Sequence, residues 1–367
     1  MKKILLSLSV ALLSFAGSAQ TYNSPESIEF DYANNRWLIA NNSGNNILSR
    51  NSVTGALSVF AACPGGPHGI EIVNDTLYVC AGGSLKGFNV NTGASIFTKS
   101  LGATFLNGIT HDNSGNLYIT DFSAKKIYRF NIATRAFNVY VTGLAKSPNG
   151  IIYDQPNNRC IFVNWGTSAP IMAVSLVDST TSTITTTTLG NCDGIAKDGA
   201  GNYYVSSWNL NGISRFNNAF TGGPVTVVTG LNSPADIFYN TVTDTLGVPN
   251  SGTSGTSIYT NKTSYHYFGS AAGLNDLAAA PGKLGLSVNP NPVVKTAEIN
   301  YKLPADANVL IELFDVNGKL AKTITNEGQT KGEQTTFFSK SGLAAGTYLL
   351  KIETETFVET KRIIIAE

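Results

Sequence analysis

Pro148-Asn149-Gly150-Ile151 is the clearest copy of a short phrase that returns through the N-terminal part of the chain. The other copies are Pro25-Glu26-Ser27-Ile28, Pro67-His68-Gly69-Ile70, Leu106-Asn107-Gly108-Ile109, Cys192-Asp193-Gly194-Ile195 and Pro234-Ala235-Asp236-Ile237. Successive copies are separated by 42, 39, 42, 44 and 42 residues. A period of about 40 to 45 residues filled with short strands is typical of a β-propeller. We therefore predict an all-β fold with six four-stranded blades, in which each phrase opens the innermost strand.

The segments between the phrases alternate apolar and polar residues, as strands half-buried between neighbouring blades do. The Thr-rich stretch Ser179–Thr188 is interpreted as the outer edge of the fourth blade, because Thr favours strands. The sixth blade has the weakest pattern, since Pro249 falls in its second strand and residues 251–257 are loop-like. The sequence does not indicate whether the N-terminus closes the ring by adding a strand.

The two ends of the chain differ from the repeats. Lys2 and Lys3 precede an apolar run and a small-residue cleavage site, so residues 1–19 are predicted to be a secretory signal peptide. That run is too short to be a membrane anchor, and no transmembrane segment is expected elsewhere. Charged residues make up 13% of the chain and the formal net charge is +1, which gives no electrostatic argument for nucleic acid or an anionic membrane as a partner.

All four cysteines lie within the predicted propeller, at Cys63, Cys80, Cys160 and Cys192. No Cys-x-x-Cys motif is present, which argues against a zinc site or a redox dithiol. An exported protein crosses an oxidising compartment, so disulfides are allowed, and sequential pairing is one of three connectivities. Buried free thiols are the other interpretation, and both stay open at this point.

After the propeller (20–268) and an Ala- and Gly-rich linker (269–282), alternating runs in residues 283–367 predict a small β-sandwich, with a tight hairpin at Asn317-Gly318. This tail resembles the C-terminal sorting domain of type IX secretion substrates of Bacteroidetes. The resemblance rests on Asn289-Pro290-Asn291-Pro292, Asp315-Val316-Asn317-Gly318-Lys319, Leu343-Ala344-Ala345-Gly346-Thr347-Tyr348 and Lys361-Arg362-Ile363-Ile364-Ile365. It implies recognition by the type IX machinery, export across the outer membrane, removal of the tail, and release or attachment at the cell surface.

The second residue of the phrase varies between blades, and in a closed ring these side chains would converge near the axis. Four of the six are oxygen donors: Glu26, Asn107, Asn149 and Asp193. Carboxylate and amide oxygens suit a hard divalent cation, most of all calcium, and two carboxylates balance its charge. The set has no thiolate and only one imidazole beside it, His68, which argues against a dedicated zinc or copper site.

At these residues the propeller resembles the senescence marker protein/gluconolactonase family, over residues 22–268. Asp193–Asn202 is the closest local match, and the family's metal ligands, a Glu from blade one, Asn from blades three and four and Asp from blade five, correspond to Glu26, Asn107, Asn149 and Asp193. The resemblance implies a metal-dependent hydrolase of a small lactone or ester, in which the metal polarises the carbonyl. Asp193 would also be the candidate general base. His68 would assist proton transfer.

Two other functions remain open. Propellers of the NHL-repeat type also carry phrases such as Pro-Asn-Gly-Ile, so the chain could be a non-catalytic propeller that presents a face to an extracellular ligand. The ring could also hold calcium for purely structural reasons. Trp165 and Trp208 would either line the mouth of the channel or pack within it, with packing favoured. His111 and His266 are interpreted as structural or exposed.

Overall fold

The computed structural model describes residues 21–268 and 284–366, apart from 316–319 and 355–357. The predicted signal peptide and linker lie outside the described residues. The chain divides into two compact units, residues 1–268 and 269–367. In the described part, the first unit contains six small antiparallel sheets and the second contains two, which confirms the predicted all-β propeller followed by a sandwich.

The first three blades each have four strands in sequential order. Blade one consists of β1 (Pro25–Asp31), β2 (Arg36–Asn41), β3 (Asn46–Asn51) and β4 (Leu57–Ala62). Blade two consists of β5 (Pro67–Val73), β6 (Thr76–Ala81), β7 (Ser84–Asn89) and β8 (Ser95–Ser100). Blade three consists of β9 (Leu106–His111), β10 (Asn116–Asp121), β11 (Lys126–Asn131) and β12 (Phe137–Val141).

The last three blades follow the same plan with one exception. Blade four consists of β13 (Pro148–Asp154), β14 (Arg159–Asn164), β15 (Ile171–Ser175) and β16 (Thr181–Thr185). Blade five consists of β17 (Cys192–Lys197), β18 (Tyr203–Ser207), β19 (Gly212–Phe216) and β20 (Val225–Val228). Blade six has only β21 (Phe238–Asn240), β22 (Thr245–Asn250) and β23 (Lys262–Tyr267). Short 3₁₀ turns occupy Asn42–Gly44 and Gln155–Asn157.

Five of the repeated phrases open an inner strand and the sixth directly precedes β21. The structure also explains why Gly is the third residue of the phrase in four blades. A Cβ built on Gly150 would lie 2.5 Å from the backbone oxygen of Asp193 in the next blade. The corresponding nearest distances are 2.1 Å for Gly69, 2.4 Å for Gly108 and 2.6 Å for Gly194. The inner strands therefore pass too close to one another for any larger residue.

Aspartates in the turns after the inner strands hold the first hairpin of blades three and five. Asp112 Oδ1 accepts hydrogen bonds from the backbone N–H of Ser114 and of Asn116, each at 2.8 Å. Asp198 Oδ1 does the same in blade five, accepting from the N–H of Asn202 at 2.8 Å. These carboxylates satisfy turn amides that no strand partner could reach.

Blade six packs directly on blade one. The Asp236 N–H donates to the Glu26 carbonyl at 2.9 Å, and the Ser24 N–H donates to Asn261 Oδ1 at 2.7 Å. In the described range the N-terminal segment contributes these bonds and no strand to blade six. Pro249 lies inside β22, as the weak sequence pattern of this blade predicted.

Two further predictions concern the outer strands and the thiols. The Thr-rich stretch forms β16, the outermost strand of blade four, as predicted. All four cysteines are buried free thiols, so of the two interpretations the structure supports the reduced one. The part of the chain that the structure describes contains no helix long and apolar enough to span a bilayer.

The second unit is a sandwich of two antiparallel sheets. One sheet has the order β24-β25-β28 and the other β27-β26-β29-β30. The strands are β24 (Ser287–Asn289), β25 (Thr296–Leu303), β26 (Ala307–Asp315), β27 (Leu320–Gln329), β28 (Gly332–Ser339), β29 (Gly346–Glu353) and β30 (Val358–Ile365). Inward side chains of both sheets, such as Ile299 and Leu350, form one core. The predicted Asn317-Gly318 hairpin lies outside the described residues, although β26 and β27 pair on either side of it.

Candidate functional site

The predicted ring residues lie at the end of the central channel where the inner strands begin, which we call the donor mouth. It comprises Glu26, His68, Asn107, Asn149 and Asp193, at the starts of β1, β5, β9, β13 and β17. Blade six contributes only Ala235 at the equivalent position. Each donor is thus positioned by a different strand, and the close packing of those strands fixes where each Cα lies.

Asn149 and Asp193 form the most buried part of the donor mouth, with 1% and 5% exposure. Asn149 Nδ2 donates to the Cys192 carbonyl at 3.3 Å, whereas its Oδ1 is buried without a hydrogen-bond partner. Burial raises the pKa of Asp193 well above its usual value, and the nearby charges of Glu26 and Asp236 raise it further. The side chains of Trp208 and Asn149 partly offset this rise. Trp208 Nε1 nevertheless makes no hydrogen bond of ordinary geometry.

Glu26 is the second carboxylate of the donor mouth. Its Oε1 accepts a hydrogen bond from Ser251 Oγ at 2.5 Å. Burial raises its pKa to about 7; the Ser251 hydrogen bond opposes that rise, and the charge of Asp236 adds to it. Among the described residues, no cationic side chain lowers the pKa of either carboxyl. Such a site favours either protonation or a bound cation.

The donor set fits a divalent cation in its chemistry. It offers two carboxylates, the unpartnered Oδ1 of Asn149, and the side chain of Asn107, which makes no hydrogen bond to a described residue. Oxygen ligands of this kind suit calcium. No three His, Cys, Asp or Glu side chains in the described ranges are grouped so that they could hold a metal. A cation here would therefore depend on the two amides as well as the two carboxylates.

The environment of His68 differs from the one expected for a proton carrier. Its Nδ1 lies 2.9 Å from the Gly66 carbonyl, and its Nε2 lies 3.2 Å from Asn42 Nδ2. Its ring packs edge-on against Phe105 at 4.6 Å between centroids. Burial lowers the pKa of His68 to about 4, so the imidazole is neutral near pH 7. Its role in proton transfer stays a prediction without support from these contacts.

A row of aromatic side chains borders the donor mouth on blades three to five. Phe105 contacts Phe122 at 5.7 Å, Phe122 contacts Trp165 at 5.8 Å, and Trp165 contacts Trp208 at 5.1 Å between ring centroids. We call these four residues the aromatic row. Each is partly exposed, so Trp165 and Trp208 both pack on neighbours and line the mouth.

Sequence reasoning missed three acidic residues deeper in the channel. Asp236 stands where four other blades have Gly, and it accepts a hydrogen bond from Ser27 Oγ at 2.8 Å. Glu29 and Glu71 lie three residues after the ring positions of blades one and two. All three influence one another electrostatically. A comparison of the six repeats at the residue directly after the phrase would have shown that only blades one and two have a carboxylate at that position.

Comparisons with known proteins identify the tail and the fold of the propeller. Residues 287–366 match the family described as secretion system C-terminal sorting domain. The tail therefore carries a type IX sorting signal, and the chain is exported to the cell surface or the medium. No curated protein sequence matches the chain significantly.

Several solved structures are similar to the propeller part of the chain at low sequence identity. A gluconolactonase from Xanthomonas campestris is 13% identical with a TM-score of 0.55, and the match covers 63% of this chain and 84% of that one. A calcium-binding protein, regucalcin, from Agrobacterium tumefaciens is 17% identical with a TM-score of 0.52, covering 63% and 83%. A chain of a nidogen/laminin complex is 16% identical with a TM-score of 0.52, covering 59% and 85%. The fold is thus that of gluconolactonase-like propellers, and the chain is an exported protein built on it.

Proposed function

We propose that the propeller is a hydrolase of lactone or ester substrates that uses a divalent cation held at the donor mouth. The observation that carries this proposal is the buried, unpartnered Oδ1 of Asn149 beside the buried carboxylate of Asp193. The Asn149 oxygen is desolvated without a hydrogen-bond partner, and burial disfavours the charged form of the Asp193 carboxylate, so a bound cation would compensate both costs. The fold shared with a gluconolactonase and with a calcium-binding protein supports the same choice.

Glu26, Asn107, Asn149 and Asp193 would hold the cation, and calcium matches their all-oxygen chemistry. A divalent cation at this position polarises the carbonyl of a lactone or ester. Asp193 accepts the proton of the attacking water as its oxygen bonds to the carbonyl carbon, and returns that proton to the leaving oxygen when the C–O bond breaks. The aromatic row shields one side of the reacting group from water.

The test measures metal content and turnover together in the purified exported chain. We expect about one calcium per chain, and turnover of at least one member of a panel of lactones and aryl esters. Asp193→Asn should lose the metal and at least about 100-fold in kcat/KM. Asp178→Asn, which changes a fully exposed carboxylate on blade four, should leave both unchanged. A metal-free wild-type protein that is indifferent to chelators would contradict the proposal.

A second candidate function is a non-catalytic propeller whose donor mouth binds an extracellular ligand. The aromatic row favours it, because partly exposed aromatic side chains are enriched at binding surfaces. Trp165→Ala would then weaken ligand capture while Asp193→Asn would not. A purely structural calcium would be recognised by a chelator-dependent fall in Tm without any turnover to lose.

A further inference from the structure

The opposite end of the channel, where the inner strands end, contains a cavity of about 470 Å³. We call it the end cavity. Residues of all six blades line it, and its volume lies in the range of about 300 to 1,000 Å³ typical of small-molecule sites. None of the five donor-mouth residues lines it. The end cavity is therefore a separate compartment from the proposed metal site.

Much of the wall of the end cavity is apolar. The last residue of the repeated phrase is Ile in every blade, and all six line the cavity: Ile28, Ile70, Ile109, Ile151, Ile195 and Ile237. Each is at most 6% exposed. Phe238 and Tyr239 add aromatic surface. This wall suits the hydrocarbon part of a ligand, since burying apolar surface is the main source of its affinity.

Most of the charged groups that line the end cavity are acidic. Glu29, Glu71 and Asp236 all line it. Glu71 Oε1 pairs with His111 Nδ1 at 2.5 Å, and Asp236 Oδ2 accepts from Ser27 Oγ at 2.8 Å. Glu29 is different, because it is 7% exposed and its Oε2 is buried with no hydrogen-bond partner. One of the residues that line the cavity thus has a carboxylate oxygen for which the protein provides no hydrogen-bond partner.

Lys197 and His111 line this cavity and Arg36 pairs with one of its lining residues, and all three cations are already paired with protein groups. Lys197 Nζ lies 3.4 Å from Asp154 Oδ1 and 5.0 Å from the ring centroid of Tyr203, both outside the cavity lining. Arg36 Nε pairs with Asp31 at 2.9 Å. His111 is committed to Glu71. A ligand that complements Glu29 must therefore bring its own positive N–H donor.

An inorganic ion matches this arrangement less well than an organic one. No three carboxylate, imidazole or thiol side chains in the described ranges are grouped closely enough to hold a metal, the acids of this cavity included. An anion would be repelled, and a neutral apolar molecule would leave Glu29 Oε2 without a partner. A protonated amine satisfies both requirements, because its ammonium donates to dispersed carboxylates and its carbon chain contacts the isoleucines.

We propose that the end cavity binds a small primary alkylamine in its protonated form, with the ammonium against Glu29 and Asp236 and the hydrocarbon chain against the six isoleucines. None of the donor-mouth residues lines this site. It gives the exported propeller a second ligand, of the class that includes aliphatic amines and diamines.

The test is calorimetric titration of the full exported protein with n-hexylammonium chloride at constant ionic strength. Titration with n-hexanol measures the contribution of the alkyl group alone, and titration with potassium chloride measures that of the positive charge alone. We expect saturable binding of one n-hexylammonium, and much weaker binding of n-hexanol. Glu29→Gln keeps the shape of the side chain and should weaken n-hexylammonium binding about tenfold or more. Asp178→Asn, which changes a fully exposed carboxylate on blade four, should leave it unchanged.

Several outcomes would overturn the proposal. Equal affinity for n-hexanol would make the site merely hydrophobic, and displacement of n-hexylammonium by potassium or calcium would make it an inorganic cation site. Unchanged binding of n-hexylammonium to Glu29→Gln would show that the Glu29 carboxylate is not part of the site. If Glu29→Gln does not fold, Glu71→Gln serves as the second variant, and it should weaken binding by a smaller factor because Glu71 is already paired with His111. No binding of n-hexylammonium at millimolar concentration also contradicts the proposal, whatever the metal analysis shows.

Discussion

The two ends of the channel are built from the same six strands and nevertheless carry different chemistry. At the donor mouth, burial and the charge of Asp236 raise the pKa values of Glu26 and Asp193, and the charge of Glu26 raises that of Asp193 further. At the end cavity Glu71 and Asp236 have partners in His111 and Ser27, and Glu29 alone has an unpartnered oxygen. The comparison shows that the same six inner strands can carry different polar groups at their two ends while the distance between neighbouring strands stays the same.

The spacing itself depends on the glycines between the two sites. Each phrase places its variable ring residue directly before a residue that contacts the next inner strand. Blades one and six are the exceptions, with Ser27 and Asp236 in place of Gly, and these two side chains bond to each other. The electrostatic link between the two ends therefore runs through the junction where the ring closes, because Asp236 acts on Glu26, Glu29 and Asp193.

The largest effect should come from a change that disturbs both ends. In Gly150→Ala the new Cβ would lie 2.5 Å from the Asp193 carbonyl oxygen and 2.8 Å from Gly194 Cα. These are backbone atoms that cannot rotate away, so we expect a loss of about 3 kcal/mol or more in the free energy of unfolding. Both calcium binding and n-hexylammonium binding should weaken together. Thermal and denaturant unfolding measure the first effect.

Gly199→Ala is the matched control for this variant. Gly199 lies in an exposed turn of the neighbouring blade, and a Cβ there has no heavy atom within 4 Å. Its stability should be within about 0.5 kcal/mol of the wild type. Equal stability of the Gly150 and Gly199 variants would show that the inner strands can move apart, and would break the comparison between the two ends.

An intermediate effect is expected from Asp236→Asn, which removes the charge shared by the two sites. Burial, assisted by the charge of Glu71, raises the pKa of Asp236 to about 7 from a model-compound value of 3.8. A carboxyl whose pKa is raised on folding contributes stability below its unfolded pKa, and this contribution is lost as pH rises through the folded one. Asp236→Asn has no titrating carboxyl at this position, so it does not lose this stability as the pH rises.

The Tm of Asp236→Asn relative to the wild type should therefore increase from pH 4 to pH 7 and then level off. We expect a gain of roughly 1 to 4 kcal/mol across this window, measured on chelator-treated protein without added amine. Asp178→Asn, which alters an exposed carboxylate, should show no such gain in the same window. A constant difference between Asp236→Asn and the wild type across this pH range would mean that Asp236 is not desolvated by the ring closure.

The sequence predicted the blades because their phrase is a steric requirement that recurs with every turn of the repeat. At four positions only Gly fits after the ring residue, so the repeat can be recognised in the amino-acid sequence. The tail was equally readable, since its strands alternate strictly and its motifs are local. The three-stranded sixth blade was visible only as a weak pattern around Pro249, because a strand that is absent has no sequence pattern to recognise.

The candidate site was predictable in part. The period of the repeat alone predicts that Glu26, Asn149 and Asp193 lie at one end of the channel, and each lies at the start of an inner strand. The environment of His68 could not be foreseen, because Gly66 and Phe105 reach it through loop conformation and through the neighbouring blade. The end cavity was missed for a similar reason, since Glu29 looks like an ordinary polar residue of an alternating strand.

The smallest effect should come from His111→Gln at the rim of the end cavity. The hydrogen bond to Glu71 raises the pKa of His111 above 6.5, the ordinary value for histidine, and burial opposes this rise. The stabilisation by the charged pair is therefore complete below pH 6.5 and is lost as pH rises through the folded pKa. Because 37% of the His111 side chain is exposed, the pair should contribute under about 1 kcal/mol. The Tm of His111→Gln should accordingly lie slightly below that of the wild type at pH 6 and approach it at pH 9. A gap that widened with pH instead would mean that Glu71 is held by some other group, and the contrast between a paired Glu71 and an unpaired Glu29 would no longer stand.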